Sequence, residues 1–354
     1  MSMIRVGLIG FGLAGRVFHA PLVSSVDGLE LSAVVERKSD NAAALYPGIH
    51  TYRSVEELLA DPSIKLVVVA TPNATHYAMA MRALEAAKHV VVDKPAGMST
   101  GEIAELMELA GGLGLKLIPF HNRRWDSDFQ TIQKLLHEKT LGNLVHFEST
   151  FDRWRPGLST RAWKEEPDQG GLLFDLGTHL VDQALHLFGY PDFVGAEVKK
   201  EREGESAKDA FTVRLHYYTG LTVNLGANLL STSPRPRFHL RGSRGNFVKW
   251  GLDGQEAALG AISRIENPNW GLEPEDSWGT LSVDRDGAIQ TSKPQPIPGD
   301  YRKFYEGVRD AILGNGAVPV QPLDAWRTTR VLEYAIESGR EGRNIACDWS
   351  VVPD

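Results

Sequence analysis

Three groups of residues in this chain have types and spacing suited to chemistry. Asp93-Lys94-Pro95 closes the apolar run Val90-Val91-Val92, which puts a lysine where a strand gives way to a loop. An ammonium held there by a following proline can offset negative charge growing on a substrate oxygen. Asp175 and His179 stand four residues apart in the stretch Gly170 to Asp182, on one face if that stretch is helical. A carboxylate one turn from an imidazole orients it and favours its protonated form, which suits a group that must take and return a proton. Gly10-Phe11-Gly12-Leu13-Ala14-Gly15 is the third group. It follows one predicted strand and opens a predicted helix, the context a dinucleotide-binding loop requires.

Each group has a plainer reading. A lone Lys-Pro is usually a surface lysine, an Asp-x-x-x-His on a helix is usually an ordinary pair, and glycines often mark only a turn. Asp182 or His186 could extend the second group into a metal site, but no H-E-x-x-H arrangement occurs and no metal is expected. The combination favours chemistry. A hydride-accepting nicotinamide, a charge-stabilising lysine and a proton-accepting histidine are the parts of a dehydrogenase.

In the glycine loop the first glycine allows the turn, the second admits the pyrophosphate, and the third lets helix and strand pack closely. Glu36 lies about twenty residues beyond the loop, where an acid binding ribose hydroxyls belongs. Its position slightly favours NAD over NADP. Arg37 and Lys38 follow it and suit a 2′-phosphate if Glu36 turns away, so NADP stays open. Thr71, Pro72 and Asn73 end the next strand, with His76 a turn later, and these read as wall of the cofactor crevice.

The elements that must position these groups fall into two blocks. Up to about residue 120, strand-like runs at 4–9, 31–35, 66–70, 90–92 and 116–119 alternate with helical stretches such as 75–87 and 99–109. That pattern is a doubly wound α/β Rossmann domain, placed at 1–122. A helix from Asp126 to about 138 and a half-exposed strand at 146–151 come next, followed by a long helix at about 172–188. Strand pairs at 210–217 with 221–227 and 237–241 with 246–250 then imply sequential antiparallel pairing. Residues 123–354 therefore read as an α+β domain with an open, mainly antiparallel sheet. Residues 251–299 read as long loops with one strand pair, and helices return at 301–313 and 322–338, the last expected to pack back on the Rossmann domain.

With 354 residues, 42% hydrophobic and 23% charged, the chain has the composition of a two-domain globular protein. A net charge of -7 disfavours nucleic-acid binding. The single cysteine, Cys347, forms no internal disulfide, which fits a cytoplasmic setting. No targeting segment and no run of about eighteen apolar residues is present, so no membrane association is expected.

Taken in order, Gly10 to Gly15, Ala70-Thr71-Pro72-Asn73 with His76, His89 to Pro95 and Gly170 to Asp182 resemble the motifs of the Gfo/Idh/MocA oxidoreductases. The resemblance runs from about residue 4 to 339, with Asp93 where the family usually carries glutamate. It implies Lys94, Asp175 and His179 as the catalytic set, and Asp93, Lys94 and Asn122 beside the cofactor. It also implies a homodimer or homotetramer formed through the second domain's sheet. The run Phe120 to Phe129 with Arg123, Phe151 to Pro156, and Gly242 to Gly245 are similar to the scyllo-inositol dehydrogenase branch. That branch tends to carry small hydroxyl residues where this chain has Glu36-Arg37-Lys38. Arg123, Arg153, Trp154, Arg155 and Trp163 read equally as a rim for a hydroxyl-rich ring or as packing and surface residues.

The expected activity is hydride transfer between NAD or NADP and a cyclic polyol or sugar. The alternatives are a non-catalytic NAD(P)-binding regulator, a same-scaffold NAD-dependent glycosidase, and a reductase of a non-sugar carbonyl.

Overall fold

Short valine-rich runs with both faces buried build the first sheet. Leu66–Val69 and the Val90, Val91 and Val92 positions of His89–Val92 have no exposed side, which is what a parallel strand covered by helices on both faces demands. The structure, a computed structural model, describes residues 3–158 and 169–353. Six strands, β1 (Ile4–Ile9), β2 (Leu29–Val35), β3 (His50–Tyr52), β4 (Leu66–Val69), β5 (His89–Val92) and β6 (Leu117–Pro119), pair in the order β3-β2-β1-β4-β5-β6. Every pairing is parallel. The order reverses between β1 and β4, and the crevice beyond their carboxyl ends is where a dinucleotide binds in such sheets.

Ile4, Val6, Leu8, Leu66, Val68 and Val91 of this sheet share a core with Phe120, Trp270, Phe304 and Tyr305. That sharing explains the chain's division. One compact unit holds residues 1–125, 254–270 and 300–326, and the other holds 126–253, 271–299 and 327–354. The two later segments thus return to the first unit, and the division passes through the helix Pro322–Glu341.

In the second unit nine strands form one sheet. They are β7 (Leu144–Thr150), β8 (Phe193–Lys199), β9 (Ala210–His216), β10 (Thr222–Ala227), β11 (Phe238–Gly242), β12 (Gly245–Lys249), β13 (Thr280–Arg285), β14 (Ala288–Ser292) and β15 (Ile345–Ala346). Their order is β14-β13-β12-β11-β7-β10-β9-β8-β15, antiparallel throughout except for β7 with β10. Alternation sets one face inward: Phe147, Phe238, Leu240, Val223, Leu225, Val213 and Leu215 are buried, and the helix Thr178–Phe188 lies against β10. Within 251–299 the expected strand pair is β13 with β14, turning at Asp286 and Gly287, both with positive φ. The helix Gln255–Leu259 in that region was not expected.

One buried charge in this unit makes stability pH-dependent. Glu273 lies 3.4 Å from Lys249, with both side chains buried, and among the described residues neither of its carboxylate oxygens has a hydrogen-bond partner. Burial raises its pKa to about 7; Lys249 opposes the rise, and Asp128 and Asp253 add to it. A folded-state pKa above the unfolded one means the native state holds the extra proton. The stabilisation is therefore complete below about pH 4.5 and lost as pH rises through about 7. The loss is at most about 3 kcal/mol. Glu273→Gln should flatten that part of a denaturant-derived stability profile, and an unchanged slope between those pH values would contradict the assignment.

Candidate active site

Close packing fixes the glycine loop between β1 and the π-helical turn Gly15–His19. A side chain at Gly15 would place its Cβ 2.1 Å from the Gly10 carbonyl oxygen, so only glycine fits there. Gly10 itself has φ +99°. At exposed Gly12 the equivalent Cβ meets nothing within 4 Å, which leaves the backbone approachable from outside. An open middle glycine between two packed ones suits a loop that receives a pyrophosphate. Phe11, Leu13 and Ala14 lie on the same loop, Leu13 exposed and Phe11 edge-on to Tyr46.

Glu36 is held by its own loop. It is buried, and its carboxylate accepts from Ser39 Oγ at 2.7 Å, Asn41 Nδ2 at 3.2 Å and the Ala42 backbone N–H at 2.8 Å. It therefore caps the short helix Asn41–Leu45 from inside. Arg53 braces the same loop, donating to the carbonyls of Glu36 and Ser39 and to both oxygens of Asp40. Arg37 and Lys38 are exposed. The slight preference for NAD depends on Glu36, and three donors of this loop already bond its carboxylate. Ser39 and Asn41 just ahead of a helix were the local signal for it.

At the carboxyl ends of β4 and β5 two loops are tied to each other. Asp93 N–H donates to Val69 O at 2.9 Å, and Asp93 Oδ1 accepts the Lys94 backbone N–H at 2.8 Å. His76, the first residue of the helix His76–Glu85, places Nδ1 2.7 Å from Pro95 O and Nε2 2.7 Å from Thr71 O. Thr75 Oγ1 donates to the Pro72 carbonyl, and Asn73 opens the 3-10 turn Asn73–Thr75. Asn122 is buried at the start of the turn Asn122–Trp125, which follows β6. Lys94 is half-buried in this setting. Burial works to raise the Asp93 pKa, but His19, His76 and Lys94 overrule it and hold it at about 2.

Asp175 and His179 belong to the second unit, on consecutive pieces of one helix. Asp175 sits in the π-helical turn Leu173–Gly177, and His179 in the first turn of Thr178–Phe188. Such π-turns recur at functional sites. Gly171 launches the element: at φ +60° it would drive a Cβ to 2.4 Å from Lys208 O, while Leu172 N–H donates to that same carbonyl. Asp175 is half-buried and His179 buried.

The expected rim residues divide. Arg123 is buried in the first unit with Nη2 2.6 Å from Glu256, so part of its guanidinium is committed to an ion pair. Arg153, Trp154 and Arg155 lie on a segment of the second unit bonded to residues 228–231; Trp154 and Arg155 are exposed, and Arg153 is half-buried. Trp163 lies outside the described residues.

Among the described residues, the group spaced for a metal ion is His146, Glu148 and His239, with ligand atoms within 4.8 Å of one another on β7 and β11. Arg235 lies 3.4 Å from Glu148, and burial, then Arg241, push the His146 pKa down. These guanidiniums oppose a cation there. Cys347 is no nucleophile: burial, then Asp192, push its thiol up to about 12.

A parallel six-stranded sheet with a glycine loop at its switch point defines a dinucleotide-binding oxidoreductase fold. Residues 4–121 match the oxidoreductase family with an NAD-binding Rossmann fold, and residues 129–248 match the GFO/IDH/MocA C-terminal domain. The chain belongs to the Gfo/Idh/MocA oxidoreductase family. It is 39% identical to the uncharacterized oxidoreductase YdgJ of Escherichia coli, over 95% of this chain and 96% of that one. It is 34% identical to the scyllo-inositol 2-dehydrogenase (NADP(+)) IolW of Bacillus subtilis, over 98% and 96%. Among solved structures, the yvaA protein of Bacillus subtilis superposes with a TM-score of 0.93 at 34% identity, covering 98% of this chain and 100% of that one. No helix among the described residues is long and apolar enough to cross a membrane.

Proposed function

We propose that this chain is an NADP-preferring dehydrogenase of a cyclic polyol or sugar, with an inositol-like ring as substrate. The observation that carries the reading is the placement of Lys94 at the carboxyl end of β5, in the same parallel sheet whose β1 ends in the glycine loop. The 34% identity to an NADP-dependent scyllo-inositol dehydrogenase supports the substrate class.

Bound nicotinamide supplies the hydride acceptor. The residues of the chain do the rest. His179 takes the proton of the hydroxyl being oxidised, Asp175 orients the imidazole and favours its charged form, and Lys94 offsets the charge growing on the oxygen. Arg153, Trp154 and Arg155 contribute to holding the ring. The second unit's sheet, open at β14 and β15, serves a homodimer or homotetramer.

Cofactor choice follows from Glu36. Three donors hold its carboxylate within the loop, which weakens its hold on ribose hydroxyls. Exposed Arg37 and Lys38 supply the cations such a phosphate needs. Arg37→Ala should raise KM for NADP about tenfold or more, the worth of one charge-assisted bond, and leave KM for NAD nearly unchanged. Equal losses with both cofactors would refute this arrangement.

The reading is tested by following nicotinamide reduction with scyllo-inositol, myo-inositol and aldoses, using both cofactors in parallel. Turnover of an inositol with NADP is the expected result. Tight cofactor binding without turnover on any of these substrates would favour a regulator instead.

A further inference from the structure

Two buried histidines bear on the loop that carries Lys94, one from each side. His19 ends the π-helical turn behind the glycine loop and is fully buried. Its Nδ1 is 2.7 Å from the hydroxyl of Tyr305, itself fully buried on the helix Arg302–Ile312, and its Nε2 is 3.8 Å from Asp93 Oδ2. Burial, then Asp93, push the Tyr305 pKa well up, so its hydroxyl keeps its proton and can donate to Nδ1. A hydroxyl donating to Nδ1 puts the ring proton on Nε2, aimed at the aspartate. Among the described residues Nε2 has no hydrogen-bond partner, and the Asp93 carboxylate stands 3.8 Å from it. The aspartate's other oxygen then holds the Lys94 backbone N–H at 2.8 Å.

From the other side, His76 is 1% exposed and joins the loop after β4 to the loop after β5 through two carbonyl oxygens, Thr71 O and Pro95 O. A carbonyl only accepts, so both contacts are hydrogen bonds when both ring nitrogens carry protons. Burial outweighs Asp93 and the two carbonyls and lowers the His76 pKa, which favours the neutral ring with a single N–H. The neutral ring donates to one of these carbonyls at a time and lies 2.7 Å from both, so His76 joins the two loops as well as forming part of the crevice wall.

We propose that His19, with Tyr305 behind it, and His76 are positioning residues for Lys94. They fix Asp93 and Pro95, the neighbours on either side of the lysine, and so set where its ammonium stands. The proposal rests on the reading of Lys94 as the charge-stabilising group. A lysine displaced by about 1 Å loses on the order of a hundredfold in rate.

The test is a set of double-mutant cycles on the intact enzyme. His19→Gln, Tyr305→Phe and His76→Gln are each combined with Lys94→Ala. Single-turnover rates are read with enzyme in excess, and cofactor affinity and melting temperature are measured alongside. In the wild-type background each histidine variant should lose about ten- to a hundredfold in kcat, and for His19→Gln, at a fully buried position, cofactor Kd should change by less than about threefold. In the Lys94→Ala background the same substitutions should cost almost nothing more. Losses that multiply in both backgrounds would assign the histidines to folding alone and overturn the proposal. If Lys94→Ala itself keeps normal turnover, the reading of Lys94 fails first, and the two failures are told apart. Should His19→Gln not fold, Tyr305→Phe keeps the ring and removes only the hydroxyl. For the second arm, His76→Asn keeps one donor.

Discussion

Replacing Lys94 with alanine should lower kcat by about a hundred- to a thousandfold, the usual cost of removing one preorganised donor from a developing oxyanion. The expectation follows from where the strand puts the lysine. Val90, Val91 and Val92 have no exposure, so β5 cannot shift in register, and Asp93 remains bonded to Val69 O beyond its end. Lys94 is the second residue past the strand and is half-buried. Its removal leaves the glycine loop, the Glu36 cap and the Thr71 loop untouched, so cofactor affinity should change little. A variant with near-normal turnover would show that the substrate oxygen is stabilised by another group.

The second large effect separates Gly12 and Gly15, two glycines of one loop with different roles. Gly12→Val adds a side chain where nothing lies within 4 Å, so the fold should tolerate it. The added group stands where a pyrophosphate must approach the backbone. Losing one phosphate-to-N–H bond weakens cofactor binding by about ten- to a hundredfold, from the roughly 1.5–3 kcal/mol such a bond contributes. Gly15→Ala should act in the opposite sense. Its Cβ would sit 2.1 Å from Gly10 O, so the loop must move and stability falls by about 1–3 kcal/mol. Measuring cofactor affinity and melting temperature for both variants checks the pair. Equal loss of stability in both would contradict the assigned roles.

Legibility differed with the range of the forces involved. The strands β1, β4 and β5 could be read because fully buried parallel strands need uninterrupted Val, Ile and Leu. The helix bearing Asp175 and His179 could be read from its apolar rows and from Gly170-Gly171 ahead of it. His50–Tyr52 could not, since one exposed and two half-buried residues carry no periodicity. Phe193–Lys199 was hidden by Gly195, Glu197 and Lys199, which blur its alternation. The return of residues 254–270 and 300–326 to the first unit has no local signature, because it is decided by packing onto a distant core. The same holds for His19 with Tyr305, which are 286 positions apart. Glu36 shows the reverse case: its position was read correctly, and its bonds turned out to serve a helix cap.

The central claim is direct hydride transfer from a polyol carbon, and ring-deuterated scyllo-inositol tests it most directly. With purified enzyme and NADP, deuterium should appear at C4 of the reduced nicotinamide, on one face only. Cofactor that binds tightly yet acquires no deuterium, from this substrate or from deuterated myo-inositol, would contradict the assignment.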